Sequence, residues 1–281
     1  MTIRRLVFSC LIAAVAAGAC TSVPAPAERR QSVEQMAADA GMTPMTLTTT
    51  RFDLYALTRQ SAPSDLLVIY IEGDGFAWAR RNTRSTDPTP ADPVALALSA
   101  VDRAPAVAWL ARPCQFTGGE SARNCNSDLW TGARYGEEVV AAMNDAIGTL
   151  KKKAGATQLG LVGYSGGGAI AALVAMRRED VAWLKTVAAP LDTHAFTSFH
   201  KVSPMTGSLN PADDAARLAA LPQIHYVGAA DEIVPETIGR SFVAGMGEPN
   251  CAILTVLPRM GHHGRWASEW TMLGRETPVC R

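Results

Sequence analysis

Short, continuous apolar runs alternate along the chain with segments of helical periodicity. The runs 65–73 (DLLVIYIEG), 157–164 (TQLGLVGY) and 251–258 (CAILTVLP) are typical of strands buried on both faces. Between the first two, residues 130–155 place Val139, Met143, Ile147 and Leu150 on one helical face and end at Gly155. Strands that alternate with helices predict an α/β fold with a mostly parallel central sheet and helices on both faces.

The remaining segments fit the same plan. Further strands are predicted at 104–113, 181–190 and 222–231, and residues 45–59 read as an antiparallel edge pair or one long strand. Helices are predicted at 33–42, 92–101, 166–180, 235–247 and 264–275. Residues 191–222 read as irregular, with a short helix from about Pro211, and are a possible lid or insertion in one domain spanning 33–281.

The N-terminus has the design of a secretory signal. Arg4 and Arg5 precede an apolar stretch and then small residues, and the segment is short for a membrane span. Its end, residues 17–20 (AGAC), resembles the lipobox of bacterial lipoproteins, although the usual Leu is replaced by Ala17. This resemblance implies that the signal region 1–20 is cleaved just before Cys20, which becomes the lipidated first residue, and that 21–32 form a flexible tether. Plain cleavage, giving a secreted or periplasmic soluble protein, is the alternative.

Charge limits the partners. The chain has 26 basic and 26 acidic residues, and nothing in it resembles the basic stripe of a nucleic-acid-binding protein. Loss of Arg4 and Arg5 with the signal leaves 24 basic residues against 26 acidic ones, a net charge of about −2. A domain this close to neutrality is not held to anionic lipid by charge, so membrane attachment would rest on the lipid anchor.

Four cysteines lie beyond the signal. Cys114, Cys125, Cys251 and Cys280 are an even set, which in an exported protein predicts two disulfides with three possible connectivities. Pairing between sequence neighbours is favoured, giving Cys114–Cys125 and Cys251–Cys280. A zinc site is the other use of four cysteines, but the chain contains no C-x-x-C pair.

Ser165 stands in a cluster of glycines. The segment 163–167 (GYSGG) fits G-x-S-x-G between a predicted strand and a predicted helix. A strand that turns directly into a helix holds the serine in strained backbone geometry and lifts its hydroxyl clear of the sheet. Gly167 is expected to allow close packing of the strand and the helix.

Two other uses of a glycine-rich turn fit poorly. A phosphate-binding loop would end in Gly-Lys-Ser/Thr, and no such lysine follows Gly168. A dinucleotide-binding turn needs G-x-G-x-x-G early in the fold, which this late strand does not offer. A tight turn without chemistry remains the alternative to a nucleophile.

A serine nucleophile needs a base, and the base needs an orienting acid. Asp231 follows the predicted strand 222–231 and His262 follows the strand 251–258. Both therefore emerge at the carboxyl edge of the sheet, where Ser165 also emerges. His263 competes with His262 as the base, and Asp192, after the strand 181–190, is the alternative acid.

With these residues in the order Ser, acid, His, the chain resembles an α/β-hydrolase from about residue 45 onward. The resemblance implies Ser165 as nucleophile, Asp231 as orienting acid and His262 as general base. It also implies an oxyanion hole made by the N–H of Gly166 and one from the loop 69–78, at Asp74 or Gly75. The family often has His-Gly there, so the Asp74 carboxylate would oppose an oxyanion unless Arg80, Arg81 or Arg112 paired with it.

Other polar and aromatic residues give less specific predictions. Glu72, Asp74 and Asp92 match no calcium loop, so no metal and no cofactor is expected. Phe76 and Trp78 are expected near the site, whereas Trp130, Trp266 and Trp270 are expected in the core. His194 and His200 either line the pocket or are polar loop residues, and His225 is expected to be a strand residue without a role.

The sequence thus predicts a serine hydrolase that cleaves an ester, thioester or amide through an acyl-enzyme, acting on a small or lipid-like acyl substrate at the bacterial cell envelope. A peptidase or acyltransferase using the same residues is one alternative. A non-catalytic envelope lipoprotein that keeps the fold as a binding module is another.

Overall fold

The strands form one large sheet and one small hairpin. The computed structural model describes residues 23–280. Its strands are β1 (Thr43–Thr48), β2 (Asp53–Gln60), β3 (Leu66–Ile71), β4 (Trp78–Arg80), β5 (Thr83–Arg84), β6 (Ala106–Leu110), β7 (Gln158–Tyr164), β8 (Val181–Val187), β9 (Gln223–Gly228) and β10 (Ala252–Leu257). The strands β4 and β5 pair only with each other, in a hairpin that the sequence did not predict.

The large sheet is eight-stranded, in the order β1-β2-β6-β3-β7-β8-β9-β10. The strand β2 runs antiparallel to both of its neighbours, and the other pairs are parallel. The predicted α/β class is therefore confirmed, and 45–59 is an antiparallel edge pair. The middle strand β7 is the one that leads into Ser165.

Helices cover both faces of this sheet. They are α1 (Pro26–Asp39), α2 (Val94–Val101), α3 (Glu137–Ala154), α4 (Gly166–Ala175), α5 (Thr193–His200), α6 (Glu236–Gly245) and α7 (Trp266–Leu273). One apolar cluster joins the sheet to α1, α2 and α7, and a second joins it to α3, α4 and α6. Along β3, Leu67 and Ile69 belong to the second cluster, whereas Val68 and Tyr70 belong to the first. The apolar runs are continuous because both faces of the strands are buried.

Two predicted boundaries were wrong. The helix α1 begins at Pro26, inside the segment predicted as a flexible tether, because Arg29 is buried and its guanidinium donates to the carbonyl of Thr89. The helix α5 lies in a stretch predicted to be irregular, and Asp192 caps its first turn. A 3-10 helix at Pro211–Leu218 matches the short helix expected there.

The cysteines beyond the signal pair as favoured. The structure contains the disulfides Cys114–Cys125 and Cys251–Cys280. Disulfides persist in oxidising compartments, so both bonds indicate a protein that lies outside the cytoplasm. The predicted signal and Cys20 lie outside the described residues. Within 23–280, none of the helices is both long and apolar enough to cross a membrane.

Candidate active site

Ser165 occupies a sharp turn between β7 and α4. Its backbone has φ 48° and ψ −126°, a conformation that L-residues rarely adopt. The turn is tight because glycines let the backbones meet. A Cβ on Gly167 would lie 2.2 Å from the carbonyl oxygen of Ile71, and one on Gly163 would lie 2.3 Å from the carbonyl oxygen of Gly167. Neither position has room for a side chain, and the serine is held at the carboxyl end of the central strand.

The structure brings Ser165, His262 and Asp231 together. Nε2 of His262 lies 3.1 Å from the Ser165 hydroxyl oxygen, and Nδ1 lies 2.9 Å from Oδ2 of Asp231. Asp231 follows β9 and His262 follows β10, as the strand-end argument predicted. Both are buried, whereas Ser165 is partly open to solvent.

Backbone contacts fix the acid and the imidazole. Oδ1 of Asp231 accepts the N–H groups of Ile233 at 2.9 Å and Val234 at 2.7 Å, which leaves Oδ2 for His262. The carbonyl of His262 accepts the Tyr164 hydroxyl at 3.1 Å and Nε1–H of Trp266 at 2.9 Å. These contacts fix the backbone of His262, and the hydrogen bond to Asp231 orients its ring.

The partners of the ring also place its proton. An ionised carboxylate only accepts hydrogen bonds, so Nδ1 of His262 carries the hydrogen that points at Asp231. Nε2 is then the acceptor facing the Ser165 hydroxyl. This is the arrangement in which an imidazole can take a proton from a serine.

The alternative base and acid have other environments. His263 is exposed, and its ring packs edge-on against that of His262 with centroids 5.1 Å apart. Asp192 is the N-cap of α5, accepting the N–H groups of His194 and Ala195 at 3.0 and 2.9 Å. Asp192 thus acts as the cap of α5.

Glu72 anchors the loop between β3 and β4. Its carboxylate is buried and accepts the N–H of Gly73 and Nε1–H of Trp109, both at 2.9 Å. It also accepts the N–H groups of Ala95 and Leu96 at the start of α2, at 3.4 and 3.3 Å. Burial raises the pKa of Glu72, and these four donors oppose the rise. The carboxylate is surrounded by donors and is not arranged as a cation ligand.

Asp74 lies beside the residue that follows the serine. A Cβ on Gly166 would come within 2.0 Å of Oδ1 of Asp74. Arg112 donates to Oδ1 at 2.9 Å, Arg134 donates to Oδ2 at 2.7 Å, and the Tyr135 hydroxyl donates to Oδ2 at 3.2 Å. Burial alone would raise the pKa of Asp74, but the two guanidinium groups more than offset it and hold the pKa below its usual value.

The cluster formed by Asp74, Arg112 and Arg134 therefore carries a net charge of +1. Arg112 was among the predicted partners, but Arg80 and Arg81 are exposed, and Arg134 takes the second position. Sequence reasoning missed Arg134 because it lies far along the chain from Asp74. The positive cluster removes the expected opposition of Asp74 to an oxyanion.

The predicted oxyanion residues each have an N–H group without an acceptor in the described part of the chain. The N–H groups of Gly166, Asp74 and Gly75 have no hydrogen-bond acceptor among residues 23–280. Gly166 is the first residue of α4, where a helix offers free donors and the positive end of its dipole. The predicted oxyanion residues thus have N–H groups that are free to donate. The N–H of Gly73, in contrast, already donates to the carboxylate of Glu72.

A cavity of about 610 Å³ opens at this edge of the sheet, with Ser165 and His262 in its lining. Much of its wall is apolar, and the apolar lining residues include Phe76, Trp78, Pro90, Phe196, Ile233 and Val234. Arg134 and Asp92 also reach the cavity. Phe76 and Trp78 are therefore near the site, as predicted.

The other aromatic and histidine candidates lie elsewhere. Trp130, Trp266 and Trp270 are buried in the core. His194 and His200 come from α5 but are not in the cavity wall, and Phe196 takes that place. His225 is buried in β9 between Thr186 and Gln223, and burial lowers its pKa to about 3. A histidine that stays neutral within the sheet has a structural role.

Solved structures resemble this chain in fold. An α/β serine hydrolase homologue from Coxiella burnetii is 16% identical, with a TM-score of 0.55, covering 82% of this chain and 93% of its own. A Pyrococcus furiosus esterase is 14% identical, with a TM-score of 0.56 and coverages of 82% and 89%. A bacterial membrane phospholipase A is 17% identical, with a TM-score of 0.53 and coverages of 88% and 87%.

No protein-family profile and no curated protein matches the chain. The structural likeness shows that it has the α/β-hydrolase fold, but identities this low do not assign an activity. What the chain does must be argued from the site itself.

Proposed function

We propose that the chain is a serine hydrolase that forms an acyl-enzyme on Ser165. The observation that carries the proposal is the continuous hydrogen-bond chain from the Ser165 hydroxyl through His262 to Asp231, with distances of 3.1 and 2.9 Å. In this proposal His262 takes the serine proton as the oxygen attacks the acyl carbon, and Asp231 stabilises the imidazolium. His262 then protonates the leaving group. In the second half, His262 takes a proton from a water that attacks the acyl carbon, and it returns that proton to Ser165 as the acid is released.

The oxyanion would be stabilised in two ways. The N–H of Gly166 and one from Asp74 or Gly75 would donate to the oxygen on which negative charge develops. The net positive cluster of Asp74, Arg112 and Arg134 lies next to the same place. Both features interact more strongly with a full negative charge than with a neutral carbonyl oxygen, so they favour the transition state over the bound substrate.

The apolar wall of the cavity supports an acyl substrate, such as an ester or thioester. The structural neighbours include an esterase and a phospholipase, which agrees with this class. The chain would act outside the cytoplasm, in the bacterial envelope, where its disulfides are stable and Cys20 would carry the lipid. A peptidase or acyltransferase would use the same residues, and the choice depends on the substrate.

A substrate panel tests the activity and the class together. Short-chain esters, long-chain esters, thioesters and peptide amides are compared on the wild type, Ser165→Ala and Ser268→Ala, an exposed serine on α7. We expect Ser165→Ala to lower kcat/KM by at least about 10⁴-fold and Ser268→Ala to leave it unchanged. Equal rates for Ser165→Ala and the wild type would refute the proposal. If the wild type hydrolysed none of these substrates, a binding module would be favoured instead.

A further inference from the structure

Exposed apolar side chains lie in the cavity wall and at the end of the helix beside it. Trp78 is 44% exposed and Ile233 is 40% exposed, and both line the cavity. Phe199 and Val202, each 53% exposed, lie at the end of α5. We call these four residues the apolar rim.

Contacts through His200 join the two parts of the rim. Its ring lies 5.0 Å from that of Phe199, centroid to centroid, and its Nε2 donates to the carbonyl of Ile233 at 2.7 Å. Val202 donates its N–H to the carbonyl of Thr197, one turn back in α5. The end of α5 is therefore fixed beside the cavity mouth. Grouped apolar residues that stay exposed at a binding cleft mark a surface that meets another apolar phase.

The direction of α1 shows where the N-terminal segment joins the domain. The Arg29 guanidinium lies 5.4 Å from the ring centroid of Phe76, which lines the cavity. At the other end of the helix, the carbonyl of Ala40 accepts from Arg59, and Arg59 pairs with Val107 near the start of β6. The helix α1 thus begins at the carboxyl edge of the sheet, beside the cavity, and ends towards the opposite edge.

Chain length restricts how an anchor at Cys20 could orient the domain. Six residue steps separate Cys20 from Pro26, and a fully extended chain covers about 3.5 Å per step, or about 20 Å in all. A domain of this size is about 45 Å across, from the usual scaling of the radius of gyration. A link of about 20 Å does not reach around the domain to its far side. The cavity edge must then face the membrane.

We propose that the apolar rim docks onto the lipid surface that holds the anchor, and that the substrates are amphiphilic acyl esters drawn from that surface. This inference rests on the proposed function and on lipidation of Cys20. The mature chain has a net charge of only about −2, so apolar contact would hold the rim in place. Docking would therefore depend little on salt or on anionic lipid.

The experiment uses the full-length lipidated protein in phosphatidylcholine vesicles. Two rates are measured: hydrolysis of a long-chain ester embedded in the vesicles, and hydrolysis of a soluble acetate ester. The test variant is Phe199→Asp with Val202→Asp, because neither side chain lines the cavity. The matched control is Val101→Asp with Met272→Asp, which alters two exposed apolar residues on α2 and α7 away from the rim.

We expect the ratio of the vesicle rate to the soluble rate to fall by about tenfold or more in the test variant. The reason is that the two Asp side chains cannot bury apolar surface in the bilayer as Phe199 and Val202 would. The soluble rate and the melting temperature should stay unchanged, and the control should match the wild type. An unchanged rate ratio in the test variant would overturn the inference.

A second measurement separates docking from chemistry. In the Ser165→Ala background, brominated phosphatidylcholine should quench the fluorescence of Trp78 when the rim meets the bilayer, and Trp78→Phe should remove that component. Absence of this quenching would overturn the docking. If no ester is hydrolysed but the quenching is seen, the proposed function fails and the docking stands.

Discussion

Gly167→Ala should damage the turn that holds Ser165 without removing any of the proposed catalytic side chains. An added Cβ would lie 2.2 Å from the carbonyl oxygen of Ile71 and 2.5 Å from that of Glu72. Real Cβ contacts are essentially never shorter than 3.0 Å, so α4 and β3 must separate by about 0.8 Å. The obstacles are backbone atoms of a central strand, which no rotamer change can move.

The expected cost has two parts. Overpacking of this kind destabilises a protein by about 1–3 kcal/mol. A shift approaching 1 Å in the serine should lower the rate of acylation by about 10²-fold. Gly148→Ala is the matched control, because the nearest atom to its added Cβ is Nη1 of Arg178 at 3.8 Å. Alanine is also favoured over glycine inside a helix by about 0.5–1 kcal/mol.

Urea unfolding and the rate of fluorophosphonate labelling measure the two parts separately. We expect Gly167→Ala to lose both stability and labelling rate, and Gly148→Ala to label at the wild-type rate with equal or greater stability. If Gly167→Ala unfolds and labels like the wild type, the close-packing argument is wrong.

Three further predictions concern single side chains. In an ester assay, His263→Ala should keep kcat/KM within a few-fold of the wild-type value, whereas His262→Ala should lower it by about 10⁴-fold or more. The reverse order would identify His263 as the base. Arg134→Met should lower kcat by roughly 10- to 100-fold with little change in KM, since the cluster at Asp74 loses its excess positive charge; a change confined to KM would contradict this. Burial lowers the pKa of Lys185 to about 8 from 10.5, so the unfolded chain binds more protons between these values and the contribution of Lys185 to stability rises with pH. Urea unfolding should therefore show the stability of the wild type relative to Lys185→Met rising by about 2 kcal/mol from pH 8 to pH 10, and a constant difference would refute the assignment.

The parts of the site that follow from strand ends could be predicted from the sequence. Ser165, Asp231 and His262 each follow an apolar run, and parallel strands deliver their carboxyl ends to one edge. The choice of His262 over His263 stays a prediction, and it agrees with the geometry, because the His262 ring is the one that lies between Ser165 and Asp231.

The surroundings of Asp74 could be predicted only in part. Arg80 and Arg81 were nominated because they lie near it in sequence, but the fold brings Arg134 to it from the loop before α3. Glu72 was considered only as a possible cation ligand, and its role as an anchor depends on Trp109 from another strand. Long-range pairings of this kind leave no periodic pattern in a single sequence.

Local signals were present for the early start of α1 and for the missed helix α5. Pro26 at the first position of α1 is a common helix start, although the surrounding Pro and Ala residues indicated a tether. Asp192 before α5 is a good N-cap, but eight residues rich in Thr, His and Phe give a weak helical signal. For α1 the contact of Arg29 with Thr89 adds to the local signal, and for α5 the Asp192 cap is the local signal that the sequence analysis passed over.

Mapping the covalent adduct of a fluorophosphonate tests the central claim most directly. The wild-type protein is labelled, digested and analysed by mass spectrometry, with Ser165→Ala and Ser268→Ala treated in parallel. We predict a single adduct on the peptide that contains Ser165, absent from Ser165→Ala and unchanged in Ser268→Ala. An adduct on another residue, or equal labelling of Ser165→Ala, would contradict the assignment of Ser165 as the nucleophile.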